Sequence, residues 1–145
     1  MPDLHFSPLA EPLRPLLNKF YRAHHSPMRA GADDQLWVAR QGEIVAALCL
    51  RPLAADTGFW LTSLFVAPSL RQQQIASHLV LRACEQAVTP VWLFCNPDLI
   101  GFYARLGFAE ANPLPAQLAE RFSRYCRSKT LIALRRDGQP LASPA

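Results

Sequence analysis

Hydrophobic and polar positions along the chain fall into strand-like runs and one-sided helical stripes. Leu4 to Leu9 reads as a short first strand. Leu13, Leu16, Leu17, Phe20 and His24 then recur at helical spacing. Pro12 and Pro15 suit only the first turn of that helix, where a missing N–H costs nothing. Ser26 to Asp34 holds Pro27, Gly31 and two aspartates and reads as a loop. Gln35 to Arg40 and Ile44 to Leu50 are strand-like and separated by the hairpin signal Gln41-Gly42. Asp56-Thr57-Gly58 supplies a turn before a third strand of this group, Phe59 to Val66, rich in aromatic and branched residues.

Pro68 ends that strand, and the pattern predicts a helix from about Arg71 to Ala87. Ile75, Leu79 and Ala83 form one apolar track on it, and Ala76, Val80, Cys84 and Ala87 the next. Pro90 to Cys95 is short and apolar, like an interior strand. Pro97 to Leu106 reads as a compact helix capped by Gly107, and Leu114 to Arg127 as another helix. Thr130 to Arg135 closes with a strand. The order is β-α-β-β-β-α-β-α-(α)-β. It predicts an α/β (α+β) domain over residues 1–136, with a mixed, mostly antiparallel sheet and helices on both faces. Asp137 to Ala145 reads as a loose polar tail.

Composition narrows the functional classes. The 145 residues are half hydrophobic and 18% charged, which fits one globular domain. No apolar stretch approaches the ~20 residues that span a bilayer. Residues 1–10 lack the basic start and apolar run of a signal peptide, so the expected location is cytoplasmic, without membrane attachment. Cys49, Cys84, Cys95 and Cys126 form no CxxC pair, and three of the four lie in apolar segments. They are expected to be reduced thiols, neither zinc ligands nor a disulfide framework, and no metal is expected. Residues 1–60 carry six basic and six acidic side chains, whereas residues 61–145 carry nine basic and five acidic. The whole net charge of +4 therefore lies in the second part, which suits an anionic ligand. Arg121, Arg124, Arg127 and Lys129 supply much of it and read as the wet face of one helix. Basic residues are not interleaved with aromatics in the manner of a nucleic-acid surface.

The chemistry concentrates in Leu64 to Leu81, LFVAPSLRQQQIASHLVL. A helix N-terminus presents unpaired N–H groups and the positive end of its dipole, and so suits phosphate. Arg71 adds a fixed positive charge. This segment resembles the acyl-CoA-binding motif of the GNAT superfamily of N-acetyltransferases. That motif is a strand ending hydrophobic-x-Val-x-Pro, then Arg or Gln-x-x-Gly-x-Gly or Ala opening a helix. Val66, Pro68, Arg71 and Ala76 match it, while Gln74 and Gln72 stand where relatives often have glycine. A second segment, Asn96 to Phe108, resembles the family's later motif, with Asn96, Tyr103, Gly107 and Phe108 at the matching spacings. Asn96 before Pro97 equally suits a helix cap, and Tyr103 a core aromatic.

The resemblance implies acetyl transfer from acetyl-CoA to a primary amine by direct attack in a ternary complex. It assigns cofactor contact to Arg71, Gln72, Gln73, Gln74, Ile75, Ala76 and Ser77, and to Asn96 and Tyr103. A main-chain N–H of Phe65 or Val66 would meet the acetyl oxygen, and Tyr103 would act as the acid toward the leaving thiolate. The resemblance also implies that the strands ending near Val66 and Cys95 run parallel and splay around the cofactor. Relatives often place a basic carboxylate on the central strands, but Phe59 to Val66 offers only Thr62 and Ser63 as polar members. His24, His25 or water are the alternatives for the base. Trp37, Phe59 and Trp60 are the aromatics considered for an acceptor pocket, and Asp33-Asp34 is too small a pair to recruit a polycation. The acceptor class is left as a small-molecule, protein or peptide amine, and a homodimer is compatible with the family. The missing carboxylate leaves open a non-enzymatic acetyl-CoA-binding regulator of the same fold.

Overall fold

A computed structural model describes residues 3–54 and 57–138. Seven strands form one sheet in the order β1-β2-β3-β4-β5-β7-β6. The strands are β1 (His5–Leu9), β2 (Gln35–Gln41), β3 (Glu43–Pro52), β4 (Phe59–Val66), β5 (Val91–Cys95), β6 (Ala109–Glu110) and β7 (Ile132–Arg136). The helices are α1 (Arg14–Ala23), α2 (Ile75–Glu85), α3 (Ile100–Ala104) and α4 (Ala116–Tyr125). Every pairing is antiparallel except β4 with β5, as a mixed sheet with one α/β crossover requires.

The period of two along each strand sends alternate residues to opposite faces. Trp37, Ala39, Ala46, Leu48, Leu50 and Leu61 lie on the face covered by α2 and α3. Leu36, Val38, Ala47 and Cys49 lie on the other face, against Leu17, Phe20 and Tyr21 of α1. Leu118 of α4 extends the second layer over Trp60 and Trp92. Trp37 and Phe59 belong to the α2 side of the core and also border a hollow at the C-terminal end of α2.

The predicted elements are all present, with four adjustments. The helix expected from Arg71 begins at Ile75, because the intervening backbone twice enters the left-handed region. The helix expected over Pro97–Leu106 divides into a 3-10 turn, Pro97–Leu99, and the short α3. α4 is shorter than expected at both ends, with Arg127 and Lys129 beyond it. The two-residue β6 carries no periodic signal and exists only through its pairing with β7. Asp137 and Gly138 are described, and Asp137 pairs with Arg135 at 2.8 Å; the rest of the expected tail, and Asp56 of the expected turn, lie outside the described residues.

Cys49, Cys84 and Cys95 are buried and Cys126 is exposed, all as free thiols. Among the described residues no helix is long and apolar enough to cross a membrane. No cluster of three or more metal-ligating side chains converges among them either.

Candidate functional site

β4 and β5 are bonded only at their beginnings. Phe59 pairs with Val91 and Trp60 with Trp92, after which the two strands part. Gly58 pins the joined end. At φ 125° it brings its Cα so close to Pro90 that a Cβ would stand 2.0 Å from the Pro90 carbonyl oxygen. The next N–H, that of Phe59, donates to the same oxygen at 3.0 Å. Beyond this anchor the β5-facing edge of β4 has no strand partner, so its main-chain groups are free for a ligand.

A bulge decides which groups those are. β3 pairs Cys49 with Thr62 and Ala47 with Phe65, leaving Ser63 and Leu64 together opposite Leu48. Ser63 takes φ 60°, in the left-handed region. The Ala67 N–H donates to the Val45 carbonyl at 2.8 Å, which fixes the alternation of the ladder at this end. By that alternation Phe65 directs its main-chain groups to Ala47 in β3. Val66 directs its N–H to the gap, and Leu64, inside the bulge, has no register partner in β3. Of the two donors expected from sequence, Val66 therefore faces the gap and Phe65 does not. The bulge that shifts the parity of the strand carries no local sequence mark.

The chain leaves β4 through a 3-10 turn, Pro68–Leu70. Arg71 is extended, and Gln72 and Gln74 adopt φ 68° and 62°. Each left-handed residue other than glycine costs about 1 kcal/mol or more. Such alternation of positive and negative φ is the backbone pattern that gathers successive N–H groups into a nest suited to an anion. α2 starts directly after it, no side chain caps its N-terminus, and its first internal bond runs from His78 N–H to the Gln74 carbonyl at 3.1 Å. The N–H groups of Ile75, Ala76 and Ser77 are thus left open. Gln72, Gln73 and Gln74 are all exposed.

These elements form one wall of a groove of about 490 Å³. Val66, Arg71, Gln72 and Gln74 to Ser77 line that wall, and Phe102, Arg105 and Leu106 of the α3 segment line the other. Of the residues expected at the cofactor, Phe65, Gln73, Asn96 and Tyr103 are not among those that line it. Arg71 is bent back, donating from Nε to the Val66 carbonyl at 3.1 Å and laying its guanidinium 5.1 Å from the Phe65 ring centroid. Arg105 is a second cation of the groove that the sequence reading missed. Its only mark was its place two residues after Tyr103.

Asn96 is exposed and caps the 3-10 turn after β5, its Oδ1 accepting from the Asp98 N–H at 2.9 Å. The cap role foreseen for it is realised. Tyr103 is 6% exposed and packs edge-on between Phe102 and Phe108, at 4.9 and 5.6 Å between centroids. Burial, with smaller contributions from Cys95 and Cys84, raises its phenol to about 12. Gly107, at φ 92°, ends this helical segment as expected, while the Phe108 N–H returns to the Tyr103 carbonyl at 3.1 Å.

On the α1 and α4 face, the Phe65 ring meets Phe20 at 5.9 Å and His24 at 5.8 Å. His24 is exposed at the end of α1, and His25 follows it at φ 56°. Trp60 meets Phe94 at 5.4 Å and Tyr125 at 6.1 Å, with the Arg121 guanidinium 4.8 Å above its ring. Arg121 therefore packs on an aromatic, unlike Arg124, Arg127 and Lys129, which are exposed as expected. Asp34 is buried in an ion pair with Arg51 at 3.0 Å and serves the loop, accepting also from the Gly31 N–H. A larger hollow, about 860 Å³, lies at the opposite end of α2 and β4, remote from the nest.

No curated protein matches this chain in sequence. Among solved structures, a GNAT-family acetyltransferase from Staphylococcus aureus Mu50 superimposes with TM-score 0.63 at 17% identity, over 94% of this chain and 100% of that one. The ribosomal-protein-S18-alanine N-acetyltransferase of Escherichia coli gives 0.68 at 18% identity, over 97% of each chain. Arabidopsis thaliana Naa50, in complex with the bisubstrate analogue CoA-Ac-MVNAL, gives 0.66 at 17% identity, over 92% of this chain and 98% of that one. The model of the acetyltransferase (GNAT) family matches residues 5–108, which run from β1 through the nest and α3 to Phe108. With the split β4–β5 pair, the nest before α2 and the family model in agreement, the chain belongs to the GNAT family of acetyltransferases.

Proposed function

We propose that the chain transfers an acetyl group from acetyl-CoA to a primary amine, with both substrates bound at once. The observation that carries this reading is the groove that joins the nest before α2 to Val66, the last residue of a β4 edge that β5 leaves unpaired. A diphosphate suits the open N–H groups from Gln72 to Ser77, with Arg71 and Arg105 supplying charge. The amide-bearing arm of coenzyme A suits the free edge of β4 at Val66, as a substitute for the missing strand. The acetyl group would then lie near the bulge, where Leu64 and Val66 offer N–H donors to a carbonyl oxygen gaining negative charge.

The bound thioester supplies an activated acyl group and a thiolate leaving group. Tyr103 is assigned the hydrogen bond to that sulfur. With its phenol near 12 and a thiol near 8.5, it holds the sulfur by donating a hydrogen bond rather than by surrendering its proton. The attacking amine must be neutral, against an ordinary pKa of about 10.4 for a lysine-like group. His24, exposed with its ring 5.8 Å from that of Phe65, is the side chain we name to take that proton.

The acceptor enters from the α1 and α4 face, since the nest and groove occupy the other. The similar structures include an enzyme acting on a protein alanine and one bound to a peptide-bearing analogue, which supports a peptide or amino-acid amine. Calorimetric titration with acetyl-CoA, followed by thiol release across N-terminal peptides, amino acids and polyamines, tests the proposal. Binding together with thiol release on one acceptor class supports it. Binding with no release across all classes favours the regulatory alternative.

A further inference from the structure

The hydroxyl of Tyr21 lies 2.6 Å from the carbonyl oxygen of Ser63, to which it donates. Tyr21 is wholly buried, and its ring meets Phe20 at 5.8 Å and Phe65 at 6.5 Å. Ser63 is the left-handed residue of the β4 bulge and has no partner in β3. The carbonyl that the bulge releases from the ladder is therefore satisfied by a side chain 42 residues away, on α1. A Cys49 sulfur 3.8 Å from the same hydroxyl is its other polar neighbour. Burial holds the Tyr21 phenol far above its ordinary pKa, so it stays protonated and remains a donor.

The consequence follows from peptide geometry. Ser63 C=O and Leu64 N–H belong to one planar trans unit and point in opposite directions. Fixing the oxygen against α1 turns the Leu64 N–H away from α1, toward the α2 side of the sheet, where the groove lies. We infer that Tyr21 is a positioning residue that locks the Ser63–Leu64 peptide, so that the Leu64 N–H is aimed at the acyl oxygen of a bound acyl-CoA. This rests on the acetyl-CoA reading above and adds to it the device that orients the donor. Tyr21 itself does not touch the reacting atoms. The same lock also accounts for a left-handed serine in the middle of a central strand, a conformation that a serine adopts at a cost.

The test is the difference in affinity between acetyl-CoA and free CoA, measured by calorimetry for the unmodified protein and for Tyr21→Phe. The substitution keeps the buried ring and removes the hydroxyl, and a thermal melt checks that it folds. The expected result is a CoA affinity within twofold of the original and a loss of about tenfold in the preference for the acetyl form, equal to one hydrogen bond to the acyl oxygen. Unchanged preference with intact CoA binding would overturn the lock and leave the acetyl-CoA reading standing. Failure of the unmodified protein to bind either ligand would overturn that reading, and the lock with it. If Tyr21→Phe does not fold, 15N-leucine-labelled unmodified protein supplies the second measurement. The Leu64 amide should shift with acetyl-CoA and not with CoA, and identical spectra for the two ligands would refute the inference.

Discussion

Arg71 Nε donates to the main-chain oxygen of Val66 at 3.1 Å, tying the first cation of the α2 nest to the last residue of β4. The bond and the stacking on Phe65 hold the guanidinium beside the turn between β4 and α2 before any ligand arrives. Such preorganisation lowers the cost of binding an anion. Arg71→Ala should weaken acetyl-CoA binding by tenfold or more. Its affinity should also fall less with added salt than that of the unmodified protein, because one charge contact is gone. Calorimetry at low and high ionic strength measures both effects; equal salt slopes would count against a phosphate role.

Tyr103→Phe should lower turnover by about a hundredfold, as expected for the loss of one hydrogen bond to a charged sulfur. Acetyl-CoA affinity should stay within threefold, since the ring and its packing on Phe102 and Phe108 remain. Steady-state thiol release and a binding titration separate the two quantities. Losses of equal size in both would assign Tyr103 to binding alone.

Gln74→Gly should leave acetyl-CoA affinity within about threefold, because glycine keeps the N–H that the nest offers. Stability should change by no more than about 1 kcal/mol, as relief at φ 62° is offset by the greater freedom of glycine in the unfolded chain. Gln74→Val should instead lose about 1–2 kcal/mol, since a β-branched residue resists that conformation. Denaturant unfolding compares the two variants directly.

Gly58→Ala should destabilise the domain by about 3 kcal/mol or more. The new Cβ would collide with main-chain oxygen at 2.0 Å in a backbone conformation that alanine already resists. The joined end of β4 and β5 would have to open, so residual folded protein should also bind acetyl-CoA more weakly. A melt with and without ligand tests both statements.

Stability should fall as pH rises above about 9. Burial raises Cys84 to about 11 and Cys49 to about 12, against 9.0 for an ordinary thiol, and Tyr103 to about 12 against 10.0. In the unfolded chain these groups lose protons first, so their contribution is whole below pH 9 and is lost as pH climbs through 9 to 12. Each titrating group removes about 1.4 kcal/mol per pH unit over its window. Cys84→Ala should shallow the decline between pH 9 and 11, read from melting temperatures across that interval.

The amino-acid sequence by itself determined the elements whose signal is local. The aromatic and branched run Phe59–Val66 and a helical stripe from Ile75 to Ala87 are properties of neighbouring residues; the strand spans Phe59–Val66 and the helix Ile75–Glu85. The two motif segments also marked the groove, since Arg71 and Ala76 lie on its wall and Tyr103 sits in the short helix facing it. Tertiary structure alone decided the rest. The bulge at Ser63 depends on how β3 pairs and on a hydroxyl from α1, so no window around Ser63 reveals it. The delayed start of α2 follows from two glutamines held at positive φ, which their intrinsic preferences oppose. Arg105 joins the groove only because α3 folds back beside α2, and β6 exists only by pairing with β7. Periodicity fixes which face of an element is apolar, whereas contacts between residues distant in the chain fix where an unpaired donor or a charge ends up pointing.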